Sequence, residues 1–229
     1  MLKLSLIIPA AGSGVRMGSE VPKPFIKIGD KTILEHTISN FLDLPNLVQV
    51  IVATSEEYKE VVGSVFKSFA SDVEFRVVKG GSERQHSIYN ALQYLSEDAQ
   101  LVAVHDAVRP FVRKDLISKC CVVAGKIGGA VLGVPAKDTI KKVDGDGNVE
   151  MTPDRSSLWQ AQTPQVFQKK LLIEAYEDAI RSNFIGTDDA SLVERMHGRI
   201  QMVEGDRENL KITYPIDLKV AELILREKK

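Results

Sequence analysis

Through residues 4–134 the chain alternates short apolar runs with stretches whose apolar positions recur every three or four residues. Residues 4–8 (LSLII) read as a buried strand. Thr32 stands where it can cap a helix with an apolar face of Ile33, Leu34, Ile38, Phe41 and Leu42. Residues 48–53 form the next predicted strand, followed by a helix from Ser55 to about Phe69, and residues 73–78 form a third strand. Beyond the turn Gly80-Gly81-Ser82 the spacing of Ile88, Leu92 and Leu95 predicts a helix that runs to Leu95. Residues 101–104 and 130–134 are further strands on either side of another helix. Alternation of this kind means βαβ units. The expected fold is α/β: a three-layer, Rossmann-like, mainly parallel twisted sheet with helices on both faces. Ligands in such sheets sit beyond the carboxyl ends of the strands.

The alternation stops near residue 138. Thr139-Ile140-Lys141-Lys142-Val143 and Val149-Glu150-Met151 flank Asp144-Gly145-Asp146-Gly147-Asn148, a β-hairpin with strong turn chemistry. Helical patterns return at residues 171–180 and 217–225. No repeat or linker divides the chain. Residues 1–229 are therefore expected to form a single domain, with 138–156 as a protruding β-arm suited to dimer contacts.

Composition narrows the function. At 229 residues, 44% of them hydrophobic, the chain can bury a substantial core. A net charge of -1 argues against a nucleic-acid binder with a broad basic face. Cys120 and Cys121 are the only cysteines and adjoin each other, so they offer neither a disulfide framework nor a four-ligand zinc site. They read as small residues on a partly buried helix. The apolar start of the chain is interrupted by Pro9, and no run approaches the roughly 20 residues of a membrane span. A cytoplasmic protein is expected, or a plastid-stromal one if a transit segment has been removed.

The chemistry-bearing residues gather where strands end. Pro9-Ala10-Ala11-Gly12-Ser13-Gly14 follows the first strand, Gly80-Gly81-Ser82 the third, and His105-Asp106 the fourth. A strand running into a glycine turn offers backbone N–H groups to an anion. The turn is not a P-loop, because Gly14-Val15-Arg16 lacks the terminal Gly-Lys-Ser/Thr. Nor is it the dinucleotide fingerprint, whose third glycine would fall at Met17. Arg16 and Lys23 follow the turn, a planar fork and a point charge for the oxygens of a triphosphate. The residues 144–148 are no calcium loop, since Val149 replaces the required glycine and Arg155 the bidentate acid. His36, His86, His105 and His197 show no paired metal-ligand spacing, and His105 reads as a structural hydrogen-bonding residue.

Seven segments, PAAGSGVRMGSEVPKPF, GGSERQHSI, HDAVRPF, PAKDTIKKV, DRSSLWQAQTPQVF, GTDDASLVE and VEGDRENLKITYPIDL, occur in order across almost the whole chain. Together they resemble the 2-C-methyl-D-erythritol 4-phosphate cytidylyltransferase family of the non-mevalonate isoprenoid pathway. The resemblance implies transfer of CMP from CTP, with Mg²⁺, to methylerythritol phosphate, and release of pyrophosphate. It also implies a homodimer in which each arm helps to build the partner's site. Arg16, Lys23, Arg155 and Lys211 match the catalytic cations of the family. Ala10, Ala11, Gly12, Gly80, Gly81, Ser82, Ser87 and Asp106 match the nucleotide site. Asp106, Arg109, Thr139, Arg155, Thr163, Thr187 and Lys211 match the acceptor site. Asp106 is left open to ribose, acceptor or Mg²⁺, the metal being held mostly by the CTP phosphates.

This chain departs from the common family pattern at Ser82, where aspartate is frequent, and at Val108, where alanine is usual. Pro24 stands for a usual glutamine, and Tyr214 for arginine or a small residue. Ribitol 5-phosphate is the alternative acceptor, and a non-catalytic nucleotide-binding module the alternative class.

Overall fold

The structure, a computed structural model, describes residues 1–12 and 21–227. The rest of the glycine turn, including Arg16, lies outside the described residues. A seven-stranded sheet forms the centre. Its strands are β1 (Leu4–Pro9), β4 (Leu47–Thr54), β5 (Glu74–Lys79), β6 (Leu101–Val104), β7 (Gly129–Pro135), β10 (Trp159–Gln168) and β11 (Ile200–Glu204), in the order β11-β7-β10-β6-β1-β4-β5. All neighbours pair in parallel except β10, which runs antiparallel to both β6 and β7. Two short ribbons, β2 (Lys27–Ile28) with β3 (Lys31–Thr32) and β8 (Lys142–Val143) with β9 (Val149–Met151), lie apart from it.

Period-two alternation sends side chains of one strand into two cores. Leu4, Leu6 and Ile8 of β1 face α1 (Ile33–Leu42), α2 (Lys59–Lys67) and α4 (Lys114–Ile127). Ile7 belongs to the opposite core, with α3 (Arg84–Leu92), α5 (Lys169–Arg181) and α6 (Asp189–Arg195). A third cluster joins Ile28, Ile33 and Phe111 to Ile212 and to Ala221 of α7 (Pro215–Glu227). The three layers expected from the alternation are thus present. Cys120 and Cys121 are buried on α4, and burial raises their thiols to about 12 and about 11, which keeps them protonated and inert.

Several predicted elements differ in extent. Thr32 caps α1 through a full capping box with Glu35. The helix expected from Ser55 begins with a 3-10 turn, Glu56–Tyr58, before α2. Helix α3 stops at Leu92, and Leu95 packs against the core from the turn beyond it. In the arm only residues 142–143 and 149–151 pair, leaving Thr139, Ile140 and Lys141 outside the ladder. Both arm strands are exposed along their length. No helix among the described residues is long and apolar enough to cross a membrane.

Candidate active site

The carboxyl ends of β1, β5 and β6 converge on one cleft of about 400 Å³. Backbone bonds fix the rims: Ala10 N–H donates to Ala53 O at 2.7 Å, and Gly80 N–H to Thr54 O at 2.8 Å. Ala10, Ala11, Gly12, Lys23, Gly81, Ser82, Ser87, Asp106 and Lys211, all anticipated from sequence, line this cleft. Gly80 lies just behind, where a Cβ would come within 2.3 Å of Ala11 Cβ. A Cβ on Gly81 would come equally close to His86 Cβ. The two segments can therefore meet only because both positions lack side chains. Ser87 Oγ closes the turn, accepting from Gly81 N–H at 3.0 Å and donating to Glu83 O at 3.1 Å. Ser82 Oγ lies 2.9 Å from His86 Nδ1. The departures Pro24 and Val108 also line the cleft, whereas Tyr214 lies outside it.

Asp106 is the electrostatic centre. Its Oδ1 accepts from Arg84 Nε at 3.3 Å, while its Oδ2 accepts from Arg109 Nε at 3.3 Å and Lys211 Nζ at 3.0 Å. Burial on its own would raise this carboxyl. Arg84, then Lys211 and Arg109, outweigh it and hold Asp106 well below the usual carboxylate range. Burial likewise opposes the charge on Arg84, but Asp189 and Asp106 lift its guanidinium above its ordinary value. Around Asp106 and Asp189 there are therefore three cations against two anions, and on the cleft wall Lys23 adds a positive and Glu83 a negative charge, leaving one cation in excess. The Lys23 ammonium donates to Thr213 O at 3.3 Å, tying the 3-10 turn Lys23–Phe25 to the segment that carries Lys211.

Behind Asp106 a chain of hydrogen bonds fixes the backbone. Asp106 N–H donates to Thr163 Oγ1 at 3.0 Å, and Thr163 Oγ1 lies 3.1 Å from His105 Nδ1. His105 Nε2 lies 3.0 Å from Arg109 O. A carbonyl only accepts, so Nε2 carries a proton, and in the neutral ring that burial favours Nδ1 accepts from the Thr163 hydroxyl. Burial lowers its pKa to about 4, in keeping with that tautomer. His105 is the structural residue that its position at a strand end suggested. Arg109 Nη1 donates to Asn209 O, and Asn209 Nδ2 in turn donates to Thr163 O.

Thr139, Arg155 and Thr187, also expected at the site, are exposed and do not line this cleft. Arg155 sits at the root of the arm, where its Nη1 donates to Lys137 O at 2.8 Å. Two charged residues of the centre were not singled out from sequence: Arg84 and Asp189. Both lie inside recognised segments, GGSERQHSI and GTDDASLVE. The signal for Arg84 was its place in the first turn after Gly80-Gly81-Ser82. Asp189 had none of its own, because its partner lies 105 residues away.

A parallel sheet with a glycine-lined, cation-rimmed cleft at its carboxyl ends defines a nucleotide-binding α/β protein. Its excess of positive charge suits a polyanionic ligand. The family model IspD, 2-C-methyl-D-erythritol 4-phosphate cytidylyltransferase, matches residues 4–227, and the chain belongs to that family. A relative of that name from Caldanaerobacter subterraneus subsp. tengcongensis is 43% identical over 227 residues, covering 99% of this chain and all of the relative. Another from Clostridioides difficile is 43% identical over 225 residues, covering 98% and 94%. Among solved structures, 4-diphosphocytidyl-2C-methyl-D-erythritol synthase from Anaerococcus prevotii superposes with a TM-score of 0.88 at 31% identity, covering 98% and 96% of the two chains. The cytidylyltransferase from Thermus thermophilus gives 0.80 at 32%, covering 98% and 100%.

Proposed function

We propose that the protein transfers CMP from CTP to the phosphate of 2-C-methyl-D-erythritol 4-phosphate, giving 4-diphosphocytidyl-2-C-methyl-D-erythritol and pyrophosphate. The observation that carries this reading is the cleft in which Lys23, Arg84 and Lys211 surround the ends of β1, β5 and β6, in a chain of this family. An oxygen of the acceptor phosphate forms a bond to the α-phosphorus of CTP as the bond from that phosphorus to the bridging oxygen of pyrophosphate breaks. The nucleophile is already an anion at neutral pH, so no general base is needed, and the buried neutral His105 is not asked to supply one. The obstacle is repulsion between two anions, which positioning and charge neutralisation overcome.

In this mechanism Arg16 and Lys23 stabilise the pentacoordinate α-phosphate and the departing pyrophosphate, while Lys211 and Arg155 orient the attacking phosphate. The small residues Ala10, Ala11, Gly12, Gly80, Gly81, Ser82 and Ser87 receive the nucleotide. Arg109, Thr139, Thr163 and Thr187 serve the acceptor side with Asp106. Arg155 reaches the partner's cleft: it is exposed at the base of the arm, and the arm presents Val143, Val149 and Met151 to solvent, an apolar face suited to a second copy of the chain. The location consistent with this chemistry is the cytoplasm.

The described residues do not fit a protein-held Mg²⁺. They include no cluster of three potential ligands, and both oxygens of Asp106 are engaged by cations. Mg²⁺ is proposed as the companion of the CTP phosphates, with no described residue assigned to it.

The test is pyrophosphate release from CTP and Mg²⁺ with methylerythritol phosphate or ribitol 5-phosphate, with Arg16→Ala as control. Turnover with only the first acceptor, lost in the control, is expected. Turnover with ribitol phosphate alone would replace the acceptor, and CTP binding without turnover would mean a non-catalytic module.

A further inference from the structure

The ion pairs beneath the cleft extend well beyond the residues that line it. Tyr176 of α5 and Asp189, the first residue of α6, are both buried, and the tyrosine hydroxyl donates to Asp189 Oδ1. The two carboxylate oxygens of Asp189 accept from Arg84 Nη1 at 3.1 Å and Nη2 at 2.8 Å. That pairing leaves Arg84 Nε facing Asp106. A rigid planar fork gripped on one side by a bidentate carboxylate has a single orientation, which a lysine could not reproduce. Neighbouring amides strengthen the link. Gln85 donates to Phe184 O and accepts from Gly186 N–H, while Gln165 of β10 donates to Asp188 Oδ2 and accepts from Ala190 N–H. The segment 184–190, which carries Thr187, is therefore strapped to α3 on one side and to β10 on the other.

We propose that Asp189 is a positioning residue for the transfer reaction: acting through Arg84, it fixes Asp106 and with it the two cations Arg109 and Lys211 that share the other oxygen of that carboxylate. The proposal rests on the transferase reading above and deepens it. Asp189 has no exposed surface and does not line the cleft, so it meets neither substrate. Its work is to keep the Nη groups of Arg84 turned away from the ligand. Without Asp189, Arg84 retains one bond to Asp106 and can swing its fork into the cleft. There it would grip a triphosphate in the ground state and leave the reacting groups misaligned. The signature is a fall in kcat with the KM for CTP unchanged or lowered, because ground-state binding survives.

The experiment compares Asp189→Asn, Arg84→Gln and the double variant in the full chain, reading kcat, both KM values and the melting temperature. Each single substitution should lower kcat on the order of 100-fold. Arg84→Gln also strands the buried Asp189 carboxylate and should lower the melting temperature, whereas Asp189→Asn, which leaves Arg84 part-exposed and bonded to Asp106, should lower it less. The double variant restores charge balance, so its melting temperature should recover while its kcat stays at the level of Arg84→Gln. Recovery of kcat together with melting temperature would overturn the proposal, since the pair would then be structural. Multiplication of the two losses in kcat would overturn it too, since Asp189 would then act independently of Arg84. Wild-type turnover is measured first. Its absence refutes the transferase reading, whereas normal turnover with either adverse result refutes only the role of Asp189.

Discussion

The floor of the cleft and the β-arm carry charge in opposite ways. Around Asp106, the charges of Asp106, Arg109 and Asp189 are buried, those of Arg84 and Lys211 reach the cleft, and all are mutually bonded and tied to α3, α6 and β10 through residues distant in sequence. On the arm, Lys142 and Glu150 pair at 2.6 Å, but both are solvent-exposed, and the two strands form a ribbon separate from the main sheet. A surface pair of this kind contributes at most about 1 kcal/mol. A buried network fixes geometry, and losing one member strands the others. The floor is thus preorganised within one chain, while the arm is formed locally, and the role proposed for it lies against a second copy.

The largest effect should come from the floor. Lys211→Ala removes a cation from Asp106 and, in the proposed mechanism, from the attacking phosphate, so kcat should fall on the order of 100-fold or more. A loss of less than about tenfold, measured by pyrophosphate release, would show that Arg109 and Arg84 suffice.

Next in size is the acid response of His105. Its pKa lies near 6.5 in the unfolded chain and is lowered to about 4 by burial in the folded one. The unfolded state therefore binds the proton first, and stability present above pH 6.5 is lost as pH falls toward 4. At about 1.4 kcal/mol per unit, this amounts to about 3 kcal/mol. Asp106, whose carboxyl is held low, adds a further loss below the usual carboxylate range. Urea unfolding between pH 7.5 and 4.5 should show the first slope, and His105→Asn should flatten it. An equal slope in the variant would assign the loss elsewhere.

A smaller effect, and one that sharpens the contrast most, concerns Arg155. Arg155→Ala should lower kcat by roughly 10-fold to 100-fold with little change in melting temperature, because the side chain is exposed. If Arg155 serves the partner's cleft, exchanging subunits with Lys211→Ala protein creates dimers with one intact site. Mixing should then recover roughly a quarter of wild-type activity, from half of the dimers and half of their sites. No recovery after subunit exchange would mean that Arg155 serves the cleft of its own chain.

The two regions also differ in how far the sequence reveals them. The arm was legible because its turn residues act locally: Asp144 Oδ1 accepts from the N–H groups of Asp146 and Asn148. Strands β1, β4, β5 and β6 were equally clear: their apolar residues are interrupted by single polar ones at most, and β1, β5 and β6 run into Gly or Asp within a few residues. Strand β10 was not recognised, because its exposed first half, Trp159-Gln160-Ala161, and the Pro164 break hide the pattern, and it enters the sheet between β6 and β7 in the reverse direction. β11 is short and largely unburied, and α6, at seven residues, is too short to show a helical period of its own. At the site, the residues near glycine turns were found, while the Asp189–Arg84 bond was missed because it forms only when the start of α6 is strapped to α3 and β10, far from it in sequence.

The smallest predicted effect tests whether the arm is as independent as its contacts imply. Gly147 has φ +88°, which an L side chain rarely adopts, although there is open space around it. Gly147→Ala therefore costs backbone strain alone, about 1 kcal/mol, confined to the hairpin tip. In the isolated subunit that cost frays the β8–β9 turn and leaves the cleft untouched, so CTP binding should not change. In the dimer it should appear as weaker association, with a subunit dissociation constant raised about fivefold for each of the two arms. Sedimentation of the variant across a dilution series reads this directly. A change in CTP affinity with unchanged association would mean that the arm tip communicates with its own cleft, and that the division between a preorganised floor and an independent arm is wrong.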